Sequence, residues 1–351
     1  MSLVNNLARP EILALQAYSS ARSIAPDDGI LLNANENPWP PAADNGLALN
    51  RYPDPQPPAL VQTLAQLYGL RTTQLLLTRG SDEGIDLLVR AFCAAGKDSV
   101  AICPPCFGMY EIAARIQGAR ILRYPLAEAT QFAPDFRALA QTQAKLVFLC
   151  SPNNPTGNLL SRDRLLDLAV RLDGRALLVI DEAYIEFAET DSMTSLIDEY
   201  PNVVVLRTLS KAWAMAGARL GAVAADSEVI ALLRKIIPPY PLPKPTVQMA
   251  LNTLGAANQH RMREQVELLT AERQRMAQRL SRLPVIKTLF PSAANFLLVR
   301  VADAPSLVAA ARSQGILLRD QSRQPGLHGC VRISIGDPQE NDTLLNWLET
   351  V

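Results

Sequence analysis

The sequence lacks several features that would favour particular classes of protein. Its 34 lysines and arginines are balanced by 34 aspartates and glutamates, so no net field attracts nucleic acid or an anionic membrane surface. Its longest apolar runs, such as those at residues 146–150 and 176–180, are too short to span a bilayer. The first residues have neither the basic nor the apolar segment of a secretion signal. We therefore expect a soluble, unexported protein that binds small molecules.

Histidine and cysteine are also scarce, which argues against a metal site. The chain has two histidines, His260 and His328, and five cysteines. Cys103 and Cys106 form a Cys-x-x-Cys pattern, but two prolines separate them and a zinc site would lack further ligands. Because most of the cysteines lie in or beside apolar runs, we expect reduced core residues of a cytoplasmic protein and no metal.

The pattern of apolar runs predicts an α/β fold. Short apolar runs alternate with helical stretches, which is typical of a mostly parallel sheet covered by helices. The seven predicted strands cover residues 75–78, 100–103, 120–124, 145–150, 176–181, 203–207 and 220–224. In such a sheet the ligand binds at the carboxyl ends of the strands.

The length of 351 residues favours two domains, and a proline-rich stretch at residues 238–245 is the predicted boundary. After it we expect a long helix over residues 246–283 and strands at 295–301, 316–320 and 331–335. The predicted organisation is an N-terminal arm at residues 1–29 associated with the small domain, a large domain at 30–245 and a small α/β domain at 246–351.

The apolar run at residues 203–206 ends shortly before Ser210 and Lys211, so we read a buried strand that stops at Lys211. Burial lowers the pKa of an amine towards the range in which it is nucleophilic. This is the setting of a lysine that attacks a carbonyl carbon. A surface lysine is the more usual outcome for an isolated Ser-Lys pair, so the interpretation depends on other groups in the chain.

Polar residues follow three further predicted strands. After residue 78, a helix start would present the backbone N–H groups of Ser81, Asp82 and Glu83, which suit a phosphate, although an ordinary helix cap is the alternative. Asn154 follows another strand, in a segment with two X-Pro steps. It could donate a hydrogen bond to a ligand oxygen, or it could simply be part of a turn. Asp181 ends a five-residue apolar run, where a carboxylate is destabilising unless it meets a buried cation.

Together these groups fit pyridoxal phosphate. Its ring nitrogen needs an anion, its phenolic oxygen needs donors, its aldehyde needs an amine and its phosphate needs a positive cradle. The candidates, in that order, are Asp181; Asn154 and Tyr184; Lys211; and the helix start at Ser81, Asp82 and Glu83 with Ser210 and Arg219.

These residues and further motifs resemble the fold-type I aminotransferases that use pyridoxal phosphate, and within them the histidinol-phosphate aminotransferase family. The resemblance runs nearly from end to end. Its motifs lie at residues 33–38, 51–54, 79–83, 104–110, 151–157, 181–184, 209–211, 239–242 and 331–336.

The resemblance implies roles for six further residues. Phe107 would stack on the cofactor ring, and Tyr52 would reach across a homodimer interface to the neighbour's cofactor phosphate. The residues implied in substrate binding are Arg332 for the shared anion, with Arg319, Tyr18 and Asn35 as further contacts. On their own, Phe107 would be a core residue, Tyr52 a loop tyrosine, Arg319 a surface charge and Tyr18 part of the arm.

The implied activity is ping-pong transamination between L-histidinol phosphate and 2-oxoglutarate, giving imidazole acetol phosphate and L-glutamate in histidine biosynthesis. Lys211 would move the proton as general acid and base. Two alternatives of similar fold stay open, a threonine-phosphate decarboxylase-like enzyme and an aromatic amino acid aminotransferase. A non-catalytic regulator that binds the same cofactor is disfavoured, because the whole residue set is present and no helix-turn-helix pattern precedes it.

Overall fold

A seven-stranded sheet is the centre of the computed structural model, which describes residues 2–22 and 29–351. Its strands are β1 Leu75–Thr78, β2 Ser99–Ile102, β3 Arg120–Arg123, β4 Leu146–Cys150, β5 Leu177–Asp181, β6 Val203–Thr208 and β7 Gly221–Ala224. Their spatial order is β1-β7-β6-β5-β4-β2-β3. Strand β7 runs antiparallel to both neighbours, and the other pairs are parallel. The predicted mostly parallel sheet is confirmed, with each strand end within one residue of its prediction.

The central strands are apolar runs because they are covered on both faces. Successive side chains of a strand point to opposite faces, and both faces of β4, β5 and β6 are buried. Val147, Leu178 and Val205 belong to one core cluster. Phe148 and Val179 belong to a second cluster on the opposite face. Such strands appear in the sequence without alternation.

Twelve α-helices occur in the described part of the chain. In chain order they are α1 Leu3–Leu7, α2 Pro10–Ala14, α3 Pro58–Tyr68, α4 Ser81–Phe92, α5 Met109–Gln117, α6 Phe136–Ala140, α7 Arg162–Leu172, α8 Ser227–Arg234, α9 Lys244–Thr253, α10 Ala256–Leu280, α11 Ala304–Ser313 and α12 Pro338–Leu348. None of the helices in the described residues is long and apolar enough to cross a membrane.

A second, antiparallel sheet lies in the C-terminal part, in the order β10-β11-β9-β8. Its strands are β8 Thr288–Phe290, β9 Phe296–Arg300, β10 Arg319–Asp320 and β11 Cys330–Ser334. It shares a core with α10 and α12, in which Met276, Leu297 and Leu345 are buried. Strand β8 was not predicted, and its three residues are too few to show an alternating pattern.

The predicted single helix over residues 246–283 is wrong, because the structure has two helices there. Helix α9 ends at Thr253 and α10 begins at Ala256, and Gly255 between them has an extended backbone (φ −60°, ψ 151°). Ala250 of α9 is packed in the same core cluster as Leu64 of α3. Helix α9 therefore packs on the large sheet layer, although it lies at the predicted domain boundary. The division at residues 245/246 stays a prediction.

The predicted association of the N-terminal arm with the small domain does not fit the contacts of its described residues. Val4 and Leu7 are buried in the core cluster that contains Ile85 and Phe92 of α4. The backbone N–H of Arg9 donates to the Ala91 carbonyl oxygen (3.0 Å). The two buried side chains of α1 thus pack against the layer of the seven-stranded sheet. Residues 23–28 of the arm lie outside the described residues.

Candidate active site

A cavity of about 520 Å³ lies at the carboxyl ends of β4, β5 and β6, between the large sheet and the small-domain sheet. This is the expected ligand position in an α/β sheet. The predicted site residues that line it are Ser81, Asp82, Phe107, Asn154, Asp181, Tyr184, Ser210, Lys211, Arg219, Arg319 and Arg332. Residues from both sheets therefore meet in one cavity.

Asp181 is the last residue of β5 and is 2% exposed. Its Oδ2 accepts a hydrogen bond from the Tyr110 hydroxyl (2.7 Å), and its Oδ1 accepts one from the Ala183 backbone N–H (3.1 Å). Burial raises the pKa of Asp181 to about 6, while these two hydrogen bonds oppose the rise. A buried carboxylate at this edge of the sheet is a strong acceptor for a cation or an N–H group.

Lys211 is exposed and lines the cavity, so the prediction of a buried strand that stops at Lys211 is wrong. Strand β6 ends at Thr208, and the chain turns Lys211 towards the cavity instead of into the core. Desolvation by the cavity walls nevertheless lowers the pKa of Lys211, and the nearby Arg332 cation lowers it further. Its Nζ lies 5.5 Å from the centre of the Tyr184 ring. The lowered pKa increases the neutral, nucleophilic fraction of the amine.

Asn154 and Tyr184 connect the large domain to Arg332 on β11. Asn154 Nδ2 donates to Tyr184 Oη (3.3 Å), which leaves the Tyr184 hydroxyl proton free to be donated. The Arg332 guanidinium donates to Asn154 Oδ1 and lies 5.4 Å from the centre of the Phe296 ring. The amide of Asn154 is thus held on both sides.

Arg319 and Arg332 form a positive end of the cavity. They are directly opposite each other across the β10–β11 pair. In the described residues neither guanidinium is within ion-pair distance of a carboxylate, and both line the cavity. Two adjacent guanidinium groups without a carboxylate partner favour a ligand that brings negative charge.

The start of α4 forms a backbone cradle at the other end of the cavity. Gly80, with φ +78°, precedes the helix, and no side chain caps its first N–H groups. Arg219 pairs with Asp82 (3.3 Å) and donates to Ser210 Oγ (3.4 Å). A Cβ on Gly221 would lie 2.5 Å from the Ser81 backbone nitrogen, so only glycine allows this close approach. Uncapped N–H groups beside an arginine suit a phosphate.

Four predicted site residues do not line the cavity of this single chain. The Glu83 carboxylate pairs with Arg79 (2.6 Å) and turns away, although its backbone remains in the first turn of α4. Tyr52 is 48% exposed and its ring stacks on Tyr240 (4.5 Å between centres). Tyr18 and Asn35 are exposed elsewhere on the surface.

Sequence reasoning missed Tyr110, Thr208 and Gln321. Thr208 and Gln321 line the cavity, and the Thr208 hydroxyl bonds to that of Ser210 (2.9 Å). Tyr110 lies behind Asp181. The sequence carries no local signal for Tyr110, because its hydrogen bond to Asp181 joins positions 71 apart in the chain.

The donor set fits pyridoxal phosphate. Asp181 offers an anion, Asn154 and Tyr184 offer donors, Lys211 offers an amine, and the glycine-dependent cradle at α4 offers N–H groups for a phosphate. The fold and the site together define a fold-type I enzyme of the pyridoxal phosphate type.

Comparisons with known proteins agree with this class. The family described as aminotransferase class I and II matches residues 23–348. The histidinol-phosphate aminotransferase of Stenotrophomonas maltophilia is 46% identical over 97% of this chain and 94% of its own length. The chain therefore belongs to the class I and II aminotransferases, and its cofactor is pyridoxal phosphate.

Two solved structures are similar to the whole fold. The histidinol-phosphate aminotransferase of Sinorhizobium meliloti, in complex with pyridoxal-5'-phosphate, has a TM-score of 0.76 at 29% identity and covers 90% of this chain and 89% of its own. The L-threonine-O-3-phosphate decarboxylase of Porphyromonas gingivalis has a TM-score of 0.75 at 25% identity, and the match covers 86% of this chain and 90% of the decarboxylase. The fold alone therefore does not separate these two activities.

Proposed function

We propose that this chain is a histidinol-phosphate aminotransferase. It would transfer an amino group between L-histidinol phosphate and 2-oxoglutarate, giving imidazole acetol phosphate and L-glutamate in histidine biosynthesis. The observation that carries the proposal is the meeting of Lys211, Asp181 and the Arg319–Arg332 pair in one cavity. The 46% identity to a relative of that name supports this substrate over the alternatives.

Each part of the cofactor has a partner in the cavity. When bound, pyridoxal phosphate supplies an aldehyde that takes up the amino group and a ring that withdraws electrons. Asp181 holds the ring nitrogen, Phe107 covers a ring face, and Asn154 and Tyr184 donate to the phenolic oxygen. The N–H groups at the start of α4, together with Ser210 and Arg219, hold the phosphate.

Lys211 is the proton carrier of the proposed reaction. As a neutral amine, its Nζ would take the proton from the substrate α-carbon and pass it to C4′ of the cofactor, and it would carry the proton in the reverse direction with the second substrate. The lowered pKa of Lys211 favours this role, because a smaller share of the amine is protonated near neutral pH. Its exposure to the cavity gives Nζ direct access to a bound substrate.

Arg332 and Arg319 bind the anionic end of each substrate. A guanidinium fits a carboxylate and a phosphate equally well by two parallel hydrogen bonds. Arg332 serves both the α-carboxylate of glutamate and the phosphate ester of histidinol phosphate. Arg319 adds a contact for the more highly charged phosphate, and Tyr18 and Asn35 are further proposed contacts.

The active form is a homodimer in which Tyr52 contacts the phosphate of the neighbour's cofactor. Tyr52, Tyr18 and Asn35 lie outside the cavity of their own chain, which is consistent with a role in the cavity of a second chain. The buried Glu36 orients this segment, because it accepts from the Tyr52 backbone N–H (2.6 Å) and pairs with Arg51 (3.0 Å). The five buried free thiols suit a reducing cytoplasm.

The activity is tested by supplying the purified protein with pyridoxal phosphate, 2-oxoglutarate and one donor at a time. The donors are L-histidinol phosphate, L-phenylalanine and L-threonine phosphate, and both glutamate and carbon dioxide are measured. We expect glutamate with histidinol phosphate at the highest kcat/KM. Carbon dioxide from threonine phosphate without glutamate would assign a decarboxylase instead. The Lys211→Ala variant is the control, and it should be inactive with every donor.

A further inference from the structure

Tyr110 lies behind the cavity wall and none of its surface is exposed. It is the second residue of α5 and follows Phe107 by three positions. Its ring stacks on Phe148 of β4, with centres 5.0 Å apart and planes 11° apart, and it meets the edge of Phe107 at 5.7 Å. Two aromatic neighbours therefore fix the position of this ring.

The Tyr110 hydroxyl reaches across to the end of β5. It donates to Asp181 Oδ2 at 2.7 Å, while the Ala183 backbone N–H donates to Oδ1 at 3.1 Å. With one donor on each oxygen the carboxylate cannot rotate freely, and it keeps unused lone pairs for one more donor. A hydrogen bond to a buried ionised group is among the stronger ones in proteins.

We propose that Tyr110 is a positioning residue, which fixes the orientation of the Asp181 carboxylate and keeps it ionised so that it can hold a proton on the cofactor's ring nitrogen. The proposal rests on pyridoxal phosphate as the cofactor. A donor to a carboxylate favours its charged form, whereas burial favours the neutral acid. Without the Tyr110 hydroxyl, burial shifts the pair towards a neutral acid and a neutral ring nitrogen, and the ring withdraws electrons less strongly. Because Tyr110 also supports Phe107, it connects two cofactor contacts.

The first test measures cofactor affinity in Tyr110→Phe. The cofactor-free protein is titrated with pyridoxal phosphate and with its 1-deaza analogue, in which a C–H group replaces the ring nitrogen. Without this hydrogen bond burial favours the neutral acid, so ionising Asp181 on binding costs free energy, and we expect roughly 10- to 100-fold weaker binding of pyridoxal phosphate. Binding of the analogue should change little, because it offers nothing for Asp181 to hold. The matched control is Tyr124→Phe, which removes a hydroxyl that donates to Thr142 (2.8 Å) in the same domain.

The second test asks whether Tyr110 acts through Asp181. The pH midpoint of the absorbance change of the bound cofactor should rise in Tyr110→Phe, because a less protonated ring withdraws less electron density. In an Asp181→Asn background the same change should leave both the midpoint and the cofactor affinity unaltered, since residues that act as one unit are not additive. Tyr124→Phe should alter neither value in either background.

The proposal is overturned if Tyr110→Phe binds both ligands like Tyr124→Phe, or if its effects add fully to those of Asp181→Asn. If Tyr110→Phe alone fails to fold but Tyr110→Phe combined with Asp181→Asn folds, the buried carboxylate without its donor is the cause. That result supports the proposed action of Tyr110 through Asp181. Failure of both to fold assigns Tyr110 a packing role only and also overturns the proposal. If the unaltered protein does not bind pyridoxal phosphate at all, the proposed function itself is wrong.

Discussion

At the scale of single residues, the burial of the Asp181 carboxylate destabilises the cofactor-free fold. Its carboxyl has a pKa of about 6 in the fold, raised by burial from an ordinary value of 3.8. Between those values the folded chain binds more protons than the unfolded chain, so its stability falls as the pH rises from about 4 to about 6. Above pH 6 the loss is constant, at up to roughly 3 kcal/mol.

The Asp181→Asn variant tests this cost in the cofactor-free protein. We expect it to be more stable than the unaltered chain above pH 6, by up to roughly 3 kcal/mol, and equally stable near pH 4. Urea unfolding at a series of pH values gives the difference in free energy. The exposed Asp191→Asn is the control and should show no such difference. A stability gain that is the same at pH 4 and pH 7 would show that the ionisation of Asp181 is not its cause.

Substitution of Arg332 and of Arg319 should weaken the binding of the two substrates to different extents. Arg332→Ala should raise the KM of both glutamate and histidinol phosphate by roughly 10- to 100-fold, because a hydrogen-bonded charge pair is lost with each. Arg319→Ala should raise mainly the KM of histidinol phosphate, which carries the larger charge. Steady-state kinetics with each substrate varied in turn measures both values. Unchanged glutamate binding in Arg332→Ala would contradict a shared anion site.

The sequence was informative about residues that follow strands. Asn154, Asp181 and Lys211 are visible because each is a polar residue after an apolar run, where burial makes polar groups costly. The Tyr110–Asp181 hydrogen bond joins positions 71 apart in the chain. The Arg319–Arg332 pair depends on the register of two antiparallel strands. Contacts of this kind follow from the tertiary arrangement and leave no periodic pattern in the sequence.

At the scale of elements, the approach of β7 to the start of α4 shapes the phosphate cradle. Gly221→Ala would place its Cβ 2.5 Å from the Ser81 nitrogen and the Gly80 carbonyl carbon, so the helix start must shift. We expect a stability loss of about 1–3 kcal/mol and a smaller advantage in binding of pyridoxal phosphate over pyridoxal, which has no phosphate.

Gly217→Ala is the matched control for that prediction. A Cβ at Gly217 meets no atom within 4 Å, and the backbone there has no positive φ. Both the free energy of unfolding and the preference for pyridoxal phosphate over pyridoxal should therefore stay unchanged. Thermal unfolding and titration with the two vitamers measure them. If Gly221→Ala kept the full advantage of the phosphorylated vitamer, the helix start would not be the phosphate site.

The elements that the sequence predicts well are those that satisfy one local rule throughout their length. Strands β4, β5 and β6 are continuous apolar runs with both faces buried. The break between α9 and α10 was missed because Gly255 is tolerated within a helix as well as between helices. The antiparallel direction of β7 is a property of its connection and does not appear in its residues.

At the scale of the whole molecule, the cavity is complete only because the two sheets lie against each other. The seven-stranded sheet and its connections supply Lys211 and Asp181, and the four-stranded sheet supplies Arg319 and Arg332. The two parts of the chain are also joined by the Arg300–Glu128 ion pair (2.8 Å) and by the hydrogen bond from Gln324 to the Cys106 carbonyl oxygen (3.3 Å). A substrate that contacts both sets of residues therefore binds tightly only when the two sheets are packed against each other in this way.

The proposed homodimer makes a prediction that no single chain can satisfy. Tyr52→Phe and Lys211→Ala are each expected to have low activity as pure dimers. When they are mixed, dissociated and reassociated, half of the dimers should contain one chain of each kind. In such a dimer one site has an intact Lys211 and receives an intact Tyr52 from the neighbour, so activity should recover to about a quarter of the unaltered value.

The comparison that decides this prediction is between mixed and unmixed samples at equal total protein concentration. If Tyr52 serves the site of its own chain, a mixed dimer contains one site without Tyr52 and one without Lys211. Activity would then equal the average of the two pure variants. Recovery requires that the hydroxyl act across the interface, because the mixture contains no chain with both residues intact. Mixing Lys211→Ala with itself through the same cycle of dissociation controls for gain or loss during handling.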